Sequence, residues 1–147
     1  MIHGAGFDEL DARTLYRILR LRAEVFVVEQ DCPYLDPDGR DTEAETLHLW
    51  ADPDPTAPTV AAALRVLAEP DGSRRIGRLV TAAGRRGQGL AGMLLDRALA
   101  SIPAETGVVL DAQSRLEPWY AGRGFTRAGE EFLEDGIAHV PMRLHVR

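Results

Sequence analysis

Apolar residues change their period several times along the chain, and each change marks an element. Residues 2–7 (IHGAGF) read as a short edge strand. Between Thr14 and Val28, Leu15, Ile18, Leu19, Val25 and Phe26 recur at helical spacing, with Asp11 or Thr14 as the cap. DCPYLDPDGRDTEAE (31–45) is rich in Pro, Gly and Asp and reads as a long acidic loop. Three β-type runs follow, over 46–51, 59–68 and 74–82. Their connectors, DPDPTAP and EPDGS, are turn chemistry of hairpin length, so these strands should be antiparallel neighbours. A glycine-rich turn then opens a helix that is apolar on more than one face (Leu90, Met93, Leu94, Leu95, Ala98, Leu99), as packing on a sheet requires. GVVLDA (107–112) is a continuous apolar run, the pattern of a buried central strand. A brief helix near 115–122, a strand after Gly124 and a terminal strand over 139–146 complete the chain. Antiparallel hairpins followed by one strand–helix–strand unit predict an α+β domain with a mixed sheet, not a doubly wound one.

Composition narrows the class. A chain of 147 residues and 16.1 kDa is expected to form one domain, 1–147. The formal charge of −6, from 23 acidic and 17 basic residues, argues against a nucleic-acid partner. All the basic residues are arginine, so no lysine is available for Schiff-base chemistry. No apolar run is long enough to span a membrane, and the N-terminus lacks the basic flank and apolar segment of a signal peptide. A cytoplasmic location is therefore expected. The lone Cys32 can form no internal disulfide and has no neighbour that would activate it as a nucleophile. Asp36-Pro37-Asp38-Gly39-Arg40-Asp41 suggests a calcium loop, but its glycine comes fourth rather than sixth and Leu47 stands where the closing glutamate belongs. No metal is expected.

The segment Gly87-Gln88-Gly89-Leu90-Ala91-Gly92 is a literal G-x-G-x-x-G between a strand and a helix, with Asp111 further on. Glycines there let the backbone approach a pyrophosphate, which the helix N-terminus attracts. A dinucleotide site fits poorly: antiparallel hairpins precede the turn, and Ala83-Gly84-Arg85-Arg86 separates it from its strand. In another register the same residues read R-x-x-G-x-A, Arg86 to Ala91, and Tyr120-Ala121-Gly122-Arg123-Gly124-Phe125 reads Y-x-x-x-G-F. Both patterns resemble the GNAT family of N-acetyltransferases. RLRAEVFVVEQDCPYLDPDGRD (20–41), Ile76-Gly77-Arg78 and EEFLEDGIAHVPMRL (130–144) are similar to its ElaA-type branch. Two positions depart from the family: Gln113 stands where asparagine is frequent, and Ala83 where proline is.

That resemblance implies the GNAT fold, a mostly antiparallel sheet splayed at one parallel strand pair and flanked by helices, with acetyl-CoA entering the splay. It implies that Arg86, Gly87, Gln88, Gly89, Leu90, Ala91 and Gly92 hold the pyrophosphate. The backbone of Leu79, Val80 and Thr81, and the side chain of Gln113, would meet the pantetheine arm. Tyr120 would protonate the departing thiolate, a role suited to a phenol that stays protonated at neutral pH. The plainer alternative is that Tyr120 packs a short helix against the sheet. For the general base the candidates are His139, His48, Glu131 and Glu134, with a water relay also open.

The expected activity is transfer of acetyl from acetyl-CoA to a small-molecule or peptide amine by direct attack. A non-catalytic acetyl-CoA sensor and, less well supported, a dinucleotide oxidoreductase are the alternatives. Asp31, Asp36, Asp38, Asp41, Glu43 and Glu45 face one base, Arg40, within the acidic loop. A rim of one sign would favour a cationic acceptor. A homodimer is compatible with the sequence.

Overall fold

The computed structural model describes residues 1–144, so the last positions of the strand expected over 139–146 lie outside the described residues. The described strands are β1 (Ile2–Gly6), β2 (Leu47–Ala51), β3 (Ala62–Ala68), β4 (Arg74–Thr81), β5 (Val108–Gln113), β6 (Thr126–Arg127), β7 (Phe132–Glu134) and β8 (Ile137–Leu144). They form one sheet in the order β1-β2-β3-β4-β5-β8-β6, with β7 also paired to β8. Every pairing is antiparallel except β4 with β5. The α+β mixed sheet expected from the sequence is therefore present.

Three α-helices flank it: α1 (Ala12–Arg22), α2 (Leu90–Ser101) and α3 (Glu117–Ala121). Asp11, not Thr14, caps α1 by accepting from the Thr14 amide at 2.7 Å. Ile18 and Leu21 of α1, with Val25 beyond it, bury against Trp50, Val60, Ala63 and Val80 on one face of the sheet. On the other face, Leu90, Leu94, Leu95 and Ala98 of α2 meet Leu49, Leu64, Val66, Ile76 and Leu110. Each face of β3 is thus covered, which explains its nearly continuous burial.

Local geometry departs from the sequence expectation in three places. The first helix does not run regularly to Val28 but widens over Ala23–Glu29, where Gln30 N–H donates to the Val25 carbonyl. The strand after Gly124 is only two residues long. The third departure is β7, which the pattern did not predict. It joins β8 through Asp135 and Gly136, both at positive φ (50° and 79°), between the paired residues Glu134 and Ile137. That is the two-residue hairpin turn in which Asp-Gly is favoured.

Two irregularities in β4 position the site. Its parallel pairing with β5 stops after Arg74–Val108 and Arg75–Val109. In the β3 ladder, Ala63 faces Val80 but Arg65 faces Gly77, so β4 carries an extra residue between them. Arg78, at φ 53°, occupies this bulge in the left-handed region. Beyond Arg75 the two strands part.

Candidate active site

A cleft of about 910 Å³ opens where β4 and β5 separate. Its walls include Leu79, Val80 and Thr81 from β4, Leu110 and Gln113 from β5, and Tyr120 from α3. No β5 residue is registered against Leu79–Thr81, and of these Val80 and Thr81 pair with β3 on the other side. This is the slot form that the sequence suggested for the pantetheine arm.

At one end stands the loop before α2. Gly87 and Gly89 have φ of 78° and 79°, which glycine adopts without strain. A Cβ at either would meet nothing within 4 Å, so the backbone is open to close approach. No side chain caps α2, leaving its first amides available to an anion. Arg86 lines the cleft and donates to Glu29 at 2.9 Å, both side chains 45% exposed. That hydrogen bond holds the Glu29 carboxyl below its ordinary value. Ala91 also lines the cleft, whereas Leu90 is buried in the core. Gly92 makes room for Arg123, whose guanidinium would clash with a Cβ there and stacks over Trp119 at 4.7 Å. Leu90 and Gly92 can offer a ligand only their main chain.

Tyr120 is 7% exposed and packs edge-on against Trp119 and Phe125 (centroids at 4.9 and 6.0 Å). Its hydroxyl makes no hydrogen bond among the described residues, and burial pushes the phenol up to about 12. On β8, directly across from Gln113, lies His139. Its Nδ1 is 2.7 Å from the Ile137 carbonyl, which can only accept, so Nδ1 donates there and Nε2 is left for other partners. Glu134 Oε2 stands 3.8 Å from that Nε2, and Phe132 stacks on the ring.

The other candidate bases are elsewhere. His48, 2% exposed, donates from Nε2 to the Asp41 carbonyl at 2.9 Å, and burial lowers its affinity for a proton. Glu131 accepts from Ser114 Oγ at 2.8 Å and is not in the cleft wall.

The sequence profile of the acetyltransferase (GNAT) domain matches residues 44–146. The chain belongs to the GNAT acetyltransferase family. It is 51% identical over 138 residues to a UPF0039 protein of Mycobacterium tuberculosis, covering 91% of this chain and 86% of that one. Against the protein ElaA of Escherichia coli it is 34% identical over 146 residues, covering 95% and 92%. The crystal structure of E. coli ElaA superposes with a TM-score of 0.89 at 31% identity, covering 99% of both chains. An acyl-CoA N-acyltransferase from Pseudomonas aeruginosa superposes at 0.88 with 39% identity, covering 98% of this chain and 99% of that one.

Within this GNAT fold the acidic loop differs most from its expected character. It is a largely exposed loop, but two of its acids are buried and paired. Asp36 and Asp41 are 4% and 6% exposed and meet three arginines supplied from outside the loop. Arg22 donates to Asp36 Oδ2 (2.7 Å) and Asp41 Oδ1 (2.8 Å). Arg65 donates to Asp38 (2.6 and 2.8 Å) and Asp41 (3.0 Å). Arg78 donates to Asp36 Oδ1 at 2.8 Å. The Arg65 hydrogen bond holds the Asp38 carboxyl well below the carboxylate range. Burial pushes Asp41 up, but Arg22 and Arg65 outweigh it and the net direction is down. Arg40 covers Glu43 at 3.2 Å. The count of six acids against one base therefore overstated the loop's free negative charge, because its arginine partners are distant in sequence.

Gln30 was not predicted as a site residue. It exchanges amide hydrogen bonds with Gln113 at 3.3 and 3.5 Å, across the cleft mouth. Arg115 Nη2 also donates to Gln113 Oε1, at 3.1 Å. The longer side chain in place of the family's frequent asparagine is thus engaged from two sides.

Proposed function

We propose that this GNAT protein transfers acetyl from acetyl-CoA to the amine of a small molecule or peptide by direct attack, in the cytoplasm. The observation that carries this is the splay between β4 and β5, onto which the Arg86 loop, Tyr120 and His139 all open. The thioester supplies an activated acyl group, so no metal is required for the chemistry.

Arg86, the left-handed glycines and the amides opening α2 suit a pyrophosphate at the loop. The free edge of Leu79–Thr81 and the Gln113 amide suit the peptide-like pantetheine arm. An amide at that edge would polarise the acyl carbonyl. His139 Nε2, alone or through water, takes the proton released as the acceptor's C–N bond forms. As the C–S bond breaks, Tyr120 donates its proton to the sulfur.

Two measurements test this reading. Free-thiol release from acetyl-CoA should depend on an added primary amine, and calorimetry should show binding of CoA but not NADH. CoA binding without turnover on a broad amine panel would favour a sensor; NADH binding would favour an oxidoreductase.

A further inference from the structure

Gly77 sits in the interior of β4, where glycine weakens a strand and needs a reason. Gly77 borders the β4 bulge, one of the usual reasons for a strand glycine. Its φ is not positive, and a Cβ there would meet nothing within 4 Å. Gly77 also lines the cleft, so its missing side chain leaves room there for a ligand.

The residue opposite Gly77 on β3 is Arg65. Arg65 is 4% exposed and also lines the cleft. Its two Nη atoms are committed to Asp38 and Asp41, but its Nε is buried without a hydrogen-bond partner, the one such side-chain atom among the described residues. A buried donor left unmet is costly, and this one belongs to a residue of the cleft wall opposite Gly77. Flanking it are Arg75 and Arg78, each with one terminal nitrogen uncommitted: Arg75 uses Nη1 on Asp111, and Arg78 uses Nε and Nη2 on Asp36. The recess lies two residues back along β4 from Leu79, about 7 Å from the thioester slot.

We infer that the recess over Gly77 is an acceptor subsite that receives a carboxylate, so the acceptor is an amine that also carries a carboxylate, such as an amino acid or a peptide with its C-terminus nearby. This rests on the acetyl-transfer reading above. Arginines favour carboxylates through their planar array of donors, and Arg22, Arg65 and Arg78 offset Asp36, Asp38 and Asp41 of the acidic loop. The span of about 7 Å accommodates an amine at the thioester and a carboxylate a few bonds away.

The experiment compares amino acids with their own carboxamides as acceptors, alongside spermidine, in acetyl-CoA turnover. For the best amino acid, kcat/KM should exceed that of its carboxamide by about tenfold to a hundredfold, the scale of one charge-assisted hydrogen bond set. Gly77→Val, which fills the recess without backbone conflict, should erase that preference while CoA affinity by calorimetry stays unchanged. A second readout follows the Arg65 Nε–H resonance, assigned by its loss in Arg65→Lys, in the CoA complex. It should shift with N-acetyl amino acids and not with their amides. Equal turnover of acid and amide, a preference for spermidine, or an Arg65 resonance indifferent to both probes each overturns the subsite. Those outcomes leave acetyl transfer standing, whereas absence of CoA binding would overturn that reading instead.

Discussion

Tyr120→Phe separates chemistry from packing with unusual clarity in this site. The substitution removes one oxygen from a ring whose contacts with Trp119 and Phe125 are made by carbon. Because the hydroxyl has no hydrogen-bond partner among the described residues, its loss orphans nothing and avoids the usual penalty of about 1–3 kcal/mol. Thermal unfolding should therefore be nearly unchanged. Turnover should not be. Removing a general acid costs about 10²–10⁴-fold in rate, or about 2.7–5.4 kcal/mol of barrier. The KM for acetyl-CoA should change little, since the hydroxyl is needed only as the sulfur departs. Burial pushes this phenol up to about 12, so it remains protonated throughout the neutral range. The pH profile of the variant should thus keep the wild-type shape and lie lower. Stopped thiol-release assays and a melting curve decide the matter. Turnover within about twofold of wild type, with an unchanged melting temperature, would make Tyr120 a packing residue.

Four further predictions test the loop before α2, the arginine network and an exposed helix pair. Arg86→Glu or Gly89→Asp should abolish CoA binding in calorimetry with the circular-dichroism spectrum unchanged, since each sets a negative charge beside the pyrophosphate. Arg22→Met leaves Asp36 and Asp41 buried with only Arg78 and Arg65 to answer them, and should cost near the lower end of about 3–5 kcal/mol in urea unfolding. Arg20→Met removes a half-exposed i,i+4 pair with Glu24 and should cost less than about 0.5 kcal/mol by the same assay. Asp38 and Asp41 have lowered folded-state values, so they contribute stability that is present above the ordinary aspartate range near pH 4 and lost as pH falls through the folded values. Urea midpoints that stay level from about pH 5 to pH 2 would refute this.

What the sequence made legible was whatever is local. The hairpins of β2–β4, the glycine turn into α2, and β5 as a central strand all follow from periods and turn residues within a few positions. β7 was missed because three exposed residues carry no period. Yet Asp135-Gly136 was a hairpin signal in plain view. Pairings that span the chain left no local trace. Arg22 with Asp36, Arg65 with Asp41 and Arg78 with Asp36 join residues that share no turn or helix face, so their acids read as a rim opposed by Arg40 alone. Gln30 was hidden for the same reason: its partner, Gln113, stands far along the chain.

The network also explains why a bulky residue tolerates the bulge of β4. A non-glycine residue in the left-handed region stores about 1–3 kcal/mol and persists only where its surroundings over-determine it. Arg78 is held by Asp36 through both carboxylate and carbonyl, lies over the Tyr34 ring at 5.6 Å, and reaches Asp38. Asp36 is in turn fixed by Arg22 and by the Tyr34 hydroxyl at 2.8 Å. The extra residue bends β4 just after its last pairing with β5, so the same irregularity that needs this clamp helps to open the slot. The arginine-paired loop and the splay between β4 and β5 are therefore one mechanical unit. A substitution that loosens the loop should disturb the cleft, and with it the proposed amine transfer, which steady-state kinetics would show.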